Sequence, residues 1–242
     1  MTYLWASATH RGRVRSSNQD RSYPASGGKG EGPALFAVAD GMGGHVGGDV
    51  ASTLAIDAAA AVTEEATPEQ RIRFGNEAIL KEVRRRPALR GMGTTMTIAE
   101  LGRDGVARVA HVGDSRAYLL HEGRLNQLTV DHTVVARYVA EGRLRPEQVA
   151  IHPQRGMLTR ALGLEDDLEI DTLEQPLQPG DRLLLCSDGL SSMLSDREIA
   201  ELLKGDSPEE AAWRLVEGAN FAGGHDNVTV VIVDVLAAPT PK

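Results

Sequence analysis

The sequence predicts an α+β fold, and three observations carry that prediction. The runs 94–101, 106–112 and 115–120 are apolar or alternating, and the gaps between them are too short for crossover helices, so they read as an antiparallel meander. Residues 47–86 hold two helical patterns in succession. Strand groups separated by helix groups argue against the strict alternation of a parallel sheet.

In chain order, Pro24–Pro33 (PASGGKGEGP) reads as a flexible surface loop. Leu35–Ala39 is a short apolar strand ending at Asp40-Gly41. An alanine-rich helix is expected from about Gly48 to Glu65. Pro68 opens a second helix that ends in the basic cluster Arg84-Arg85-Arg86 before Pro87. The three strands of the meander follow. Further helices are expected at His132–Glu141, Asp196–Leu203 and Pro208–Phe221. Asp181–Cys186 is another apolar strand, and Asn227–Val235 (NVTVVIVDV) is the strongest strand signal in the chain. The tail Ala237–Lys242 is expected to fray. With no long linker and no internal repeat, 1–242 reads as one domain.

The 242 residues are 41% hydrophobic and 25% charged, an ordinary globular composition able to bury a core. A net charge of -8 argues against nucleic-acid binding, which needs a basic surface. A single cysteine, Cys186, excludes an intrachain disulfide, and its apolar run Arg182–Cys186 marks it as a core residue. Neither a signal peptide nor a membrane span is evident. The expectation is a cytoplasmic monomer without membrane or nucleic-acid partners.

Asp40 and Asp188 follow apolar runs and precede glycine, and Asp226 lies between Gly223-Gly224 and the last strand. Carboxylates at strand ends beside glycine can converge on one cleft, and such oxygen donors suit Mg²⁺ or Mn²⁺. Taken singly, each Asp-Gly pair is also an ordinary turn signal. Asp114, between two strand runs, is a fourth candidate ligand or a hairpin-turn residue. A His/Cys metal site is excluded by the single cysteine and the absence of HExxH, and no phosphate-binding P-loop is present.

Eight motifs in order cover nearly the whole chain. They are Gly12-Arg-Val-Arg-Ser-Ser-Asn-Gln-Asp20, Val38-Ala-Asp-Gly-Met-Gly-Gly-His45 with Gly47–Ser52, Gly93-Thr-Thr95, His111-Val-Gly-Asp-Ser-Arg116, Leu128-Thr-Val-Asp-His132, Leu158–Gly163, Cys186-Ser-Asp-Gly-Leu190 and Gly224-His-Asp-Asn-Val-Thr229. In this the chain resembles the PPM family of type 2C metal-dependent protein serine/threonine phosphatases, in its bacterial form. The resemblance implies a four-layer αββα sandwich, two antiparallel sheets flanked by antiparallel helix pairs. It implies that Asp40 bridges two Mn²⁺ or Mg²⁺ ions, with the Gly41 carbonyl on the second and Asp188 and Asp226 on the first. Asp114 with Asp188 would hold a third, weaker ion. Arg15 would grip the phosphate, and Asp20, Gln19 and Asn227 would support the ligands and their water. The implied reaction is hydrolysis of phosphoserine and phosphothreonine in proteins by water activated between the two cations. It opposes a serine/threonine kinase, so the implied partners are phosphorylated proteins, a kinase or its substrates among them.

Three departures stand out. Gln19 replaces the usual Glu and removes a negative charge near the second ion. Asp49 stands where Glu is usual. Met42 replaces the histidine that eukaryotic members carry after Asp-Gly. His45 is then the candidate general acid, with a helix-entry role or a metal-bound water as the alternatives. The segment 131–163 resembles the family's flap, and its arginines, Arg137, Arg143, Arg145, Arg155 and Arg160, read mostly as a solvated face. A weakly active phosphoprotein-binding regulator on the same fold is the alternative function.

Overall fold

A computed structural model describes residues 1–42, 47–205 and 207–237. The chain opens with β1 (Thr2–His10), β2 (Asp20–Tyr23), β3 (Gly28–Glu31) and β4 (Ala34–Met42). The helices α1 (Gly48–Ala61) and α2 (Pro68–Arg85) follow, then β5 (Gly93–Thr94), β6 (Met96–Leu101), β7 (Val106–Val112), β8 (Arg116–His121) and β9 (Arg124–Gln127). After α3 (Val134–Ala140) come β10 (Asp171–Pro176), β11 (Arg182–Cys186), α4 (Asp188–Ser191), α5 (Asp196–Leu203), α6 (Pro208–Phe221) and β12 (Val228–Leu236).

The strands form two antiparallel sheets. One has the order β3-β1-β12-β11-β8-β9; the other runs β10-β7-β6-β4-β2, with β5 paired to β4. Strand periodicity sorts their side chains into three cores. Tyr3, Phe36, Val38, Leu101, Leu183, Leu185, Val231 and Val233 fill the space between the sheets. Ala37, Ala39, Ile98 and Ala110 pack the outer face of the second sheet against Ala51, Ala55, Ile72 and Ile79 of α1 and α2. Leu184, Cys186, Val230 and Ile232 pack the outer face of the first against Leu190, Ile199, Ala212, Leu215 and Ala219 of α4, α5 and α6. The layers are therefore α, β, β, α, as the sequence resemblance implied.

Local chemistry sets the helix limits. Thr67 and Gln70 close a reciprocal capping box over α2, with Pro68 in its first turn and Arg84 and Arg85 in its last. Ser195 with Glu198 caps α5 in the same way. The first helix ends at Ala61, four residues short of the expected Glu65, because Val62 is extended.

Two further expectations are corrected. The run 115–120 does not continue the meander: β6 and β7 pair, but β8 lies in the other sheet between β11 and β9. Gly113, at φ +110°, turns the chain out of one sheet and into the other. The Pro24–Pro33 segment is not all loop, since β3 pairs with β1 at Trp5↔Gly28. Glycine is required there, because a Cβ on Gly28 would lie 2.5 Å from the Trp5 ring. His45 and the tail 238–242 lie outside the described residues.

Candidate active site

The ends of β4 and β11, the loop before β12 and the β1–β2 loop meet at one edge of the sandwich. Asp40 is held there by its backbone. Its N–H donates to Thr95 Oγ1 (3.0 Å), its carbonyl accepts from the Thr95 N–H and Thr94 Oγ1 (2.9 Å each), and Thr95 Oγ1 bonds Ser115 Oγ (2.7 Å). The motif Gly93-Thr94-Thr95 therefore fixes a carboxylate more than 50 residues away. Gly41 lies beside Gly48, and a Cβ there would collide with the Gly48 carbonyl. Its N–H donates to the Gln19 carbonyl (3.2 Å), which also accepts from Ser52 Oγ (2.6 Å).

Asp20 faces Asp40 across the β2–β4 pair. Ser187 Oγ donates to Asp20 Oδ2 (2.7 Å) and accepts from the Thr229 N–H (2.9 Å). Asp188 opens α4 one residue later. Asp226 accepts from Arg15 Nη2 at 2.6 Å through Oδ2 and from the Asn227 N–H at 2.8 Å through Oδ1. Asn227 is buried and clamps the β1–β2 loop: its Nδ2 donates to the carbonyls of Arg11 (2.9 Å) and Ser17 (2.8 Å), and its Oδ1 accepts from the Gln19 N–H (2.8 Å).

These carboxyls disturb one another. Burial, then the charges of Asp188 and Asp226, push Asp20 up to about 7 against the pull of the Ser187 and Thr229 hydroxyls. Burial and the charges of Asp20, Asp188 and Asp114 hold Asp40 well above the usual carboxylate range. Asp114 is pushed up to about 8 by burial, Asp188 and Asp131, and Asp188 is raised by burial and Asp226. Arg15 is held more firmly protonated by its hydrogen bond to Asp226.

Oxygen donors that repel one another and lie partly out of water fit a hard divalent cation. Asp20 Oδ1 and Asp188 Oδ1 are buried without a hydrogen-bond partner, which is costly unless another group meets them. Among the described residues, no three His, Cys, Asp or Glu side chains form a ready metal cage. Asp226 is turned to Arg15 instead. The two ends of that ion pair are 52% and 35% exposed, and such a pair is worth about 1 kcal/mol or less, so Arg15 can readily exchange it for a phosphate.

The structure thus brings Arg15, Gln19, Asp20, Asp40, Gly41, Asp114, Asp188, Asp226 and Asn227 to one edge. Thr94, Thr95, Ser115 and Ser187, to which sequence reasoning gave no role, hold them there. Their signal was present, since all four lie inside the ordered motifs. In the segment 131–163, Arg143 stacks on Tyr138 at 4.2 Å and pairs with Glu141, and Arg160 pairs with Asp171 (2.7 Å) and Glu169 (2.9 Å).

The family model described as protein phosphatase 2C matches residues 8–209. The serine/threonine protein phosphatase PstP of Mycobacterium tuberculosis is 43% identical over 239 residues, covering 96% of this chain and 45% of that protein. The serine/threonine phosphatase stp of Listeria welshimeri is 40% identical over 238 residues, 93% of each chain. A crystal structure of the PstP catalytic domain in complex with two manganese ions is similar with a TM-score of 0.87 at 40% identity, over 98% of this chain and 100% of that one. The chain thus spans about half the length of the mycobacterial relative and nearly all of the Listeria one.

Proposed function

The chain belongs to the protein phosphatase 2C family, and from that premise we propose that it hydrolyses phosphoserine and phosphothreonine esters in proteins with two Mn²⁺ or Mg²⁺ ions. The observation that carries this reading is the cluster of Asp40, Asp188 and Asp226 at one edge of the sandwich, with Arg15 on Asp226 at 2.6 Å and a buried Asp188 oxygen lacking a partner.

Asp40 and the Gly41 carbonyl, with Asp188 and Asp226, are the residues that would hold the pair of ions, and Asp114 with Asp188 a weaker third. When bound, the ions supply Lewis acidity and a water acidified enough to attack phosphorus. The chain's own groups do the rest. Arg15 is planar and permanently charged, so it can bind two phosphate oxygens in parallel and stabilise their charge as the ester breaks. Asp20, fixed by Ser187, would orient the attacking water. Asn227 keeps the Arg15 loop and Asp226 in register. Cys186 is buried, and burial pushes its thiol up to about 12, so it is no nucleophile.

The same reading takes 1–242 as one catalytic domain, with 131–163 as a flap that shapes substrate choice. It acts as a cytoplasmic monomer opposing a serine/threonine kinase; a free buried thiol is compatible with a reducing compartment. Among the described residues no helix is long and apolar enough to cross a membrane. The family's retained carboxylates and arginine weigh against a purely binding role.

The test is direct. Purified protein should release phosphate from a phosphothreonine peptide in Mn²⁺, and lose that activity with chelator or in Asp188→Ala. No metal-dependent turnover on any phosphopeptide would return the binding reading to first place.

A further inference from the structure

The helix α6 buries Ala211, Ala212, Leu215, Val216 and Ala219 against the sheet, yet it also carries two large side chains outward: Trp213 is 46% exposed and Phe221 86%. A packed helix gains nothing from aromatic surface left in water, and an exposed aromatic patch of this kind commonly marks a recognition surface. A groove of about 660 Å³ opens beside them, lined by His10, Arg13, Trp213, Arg214, Asn220 and Phe221 among others.

The groove and the phosphate site share one loop. Asn220 Nδ2 meets His10 Nδ1 at 3.2 Å, at the end of β1. The Arg13 N–H donates to the Gly224 carbonyl at 2.7 Å, and two residues on, Arg15 reaches Asp226. Arg11, Arg13 and Arg15 alternate along this exposed loop, and among the described residues Glu217 is the one acid lining the groove. In a chain of net charge -8 this is a locally cationic, aromatic surface on the loop that also carries Arg15.

We propose that this groove docks the segment of the phosphoprotein substrate flanking its phosphorylated residue, an apolar side chain seated on Trp213 and Phe221 and an acidic one on Arg13. The inference rests on the phosphatase reading for the identity of its occupant. Charge complementarity selects an acidic, phosphate-bearing segment, and the shared loop places that segment's phosphate toward Arg15. Trp and Arg are the residue types that most often dominate such contacts.

Two synthetic phosphothreonine peptides separate docking from chemistry, one flanked by Phe, Leu, Asp and Glu and one by Gly and Ser. The Trp213→Ala and Phe221→Ser variants should raise KM for the first peptide ~10-fold while leaving its kcat unchanged. The second peptide and p-nitrophenyl phosphate should be turned over as before. Arg13→Glu should abolish the preference for the acidic flank. Equal KM for both peptides in the unaltered protein, or no change in the variants, overturns the proposal. So does a dimer in sedimentation that Phe221→Ser dissolves without changing peptide affinity, because the groove then belongs to a second copy. Absence of all turnover strikes the hydrolytic reading instead. Docking is then decided by anisotropy of the labelled first peptide, which must bind the unaltered protein more tightly than Phe221→Ser.

Discussion

Asp20 and Asp40 stand directly opposite each other in the β2–β4 pair. Two like charges at such a position destabilise a sheet, and here both carboxyls are also removed from much of the solvent. The pairing is tolerated because Asp20 takes a hydroxyl from Ser187 and both carboxyls are lifted toward their protonated forms. The strand pair so holds two acids together whose mutual repulsion a divalent cation relieves.

Ser187 is the first place to test this. Ser187→Ala leaves Asp20 Oδ2 and the Thr229 N–H without their partner. Losing these buried bonds should destabilise the protein by about 1–3 kcal/mol, read as a lower urea midpoint at unchanged slope.

Asn227→Ala cuts the three side-chain bonds that tether the Arg15 loop, while the backbone N–H bond to Asp226 and every proposed ligand stay in place. Groups that orient ligands typically contribute about 10–100-fold in metal affinity. Mn²⁺ titration by calorimetry should show a loss in that range.

Arg15 should be sensitive to shape as well as charge. Arg15→Lys keeps the charge but not the planar fork, and Arg15→Ala removes both. A charge-assisted hydrogen bond is worth about 1.5–3 kcal/mol, so Arg15→Ala should lower kcat/KM for a phosphothreonine peptide by ~10–100-fold. Arg15→Lys should fall between the two, and steady-state kinetics at saturating Mn²⁺ would show it.

A pH effect follows from His111. Burial first, then the neighbouring His132, push its imidazole down from 6.5 to about 3. The folded protein therefore keeps His111 neutral while the unfolded chain protonates it, so the unfolded state binds more protons. Its contribution to stability is intact above 6.5 and is lost as pH falls toward 3, by at most about 1.4 kcal/mol per pH unit. Asp20 and Asp114, raised in the fold, act in the opposite sense. The term is isolated by comparison: in metal-free buffer, the slope of stability against pH between 5 and 6.5, read by urea titration, should be less positive in His111→Asn than in the unaltered protein.

Much of the fold was legible because the central strands are covered on both faces. The strands β4, β11 and β12 are therefore largely apolar runs, β6 and β7 alternate apolar with polar residues, and β12, central in its sheet, gave the strongest signal. Edge strands did not announce themselves. In β9 (Arg124–Gln127) and β10 (Asp171–Pro176) most side chains face solvent, and β3 (Gly28–Glu31) carries glycine to admit Trp5. The partner sheet of β8 was equally hidden, since spacing reports a turn but not the sheet it leads to. At the site, Asp40, Asp188 and Asp226 could be picked out by their place after strands and before glycine. Asn227 was reached only through the family resemblance, and the hydroxyls of Thr95 and Ser187, though inside the motifs, gave no sign of what they hold, because the backbone N–H groups they meet lie 40 or more residues away.

The pairing of β1 with β12, from Thr2↔Leu236 to His10↔Val228, joins the earliest and latest strands of the described chain. On the ribosome, β12 emerges after every other strand of the described residues, and it lies between β1 and β11. Until then the first sheet is split in two, and Asp226 and Asn227, which directly precede β12, have not met Arg15 or Gln19. Synthesis therefore sets an order: a nascent chain still short of this strand lacks a finished sheet and has not yet brought Asp226 to Arg15.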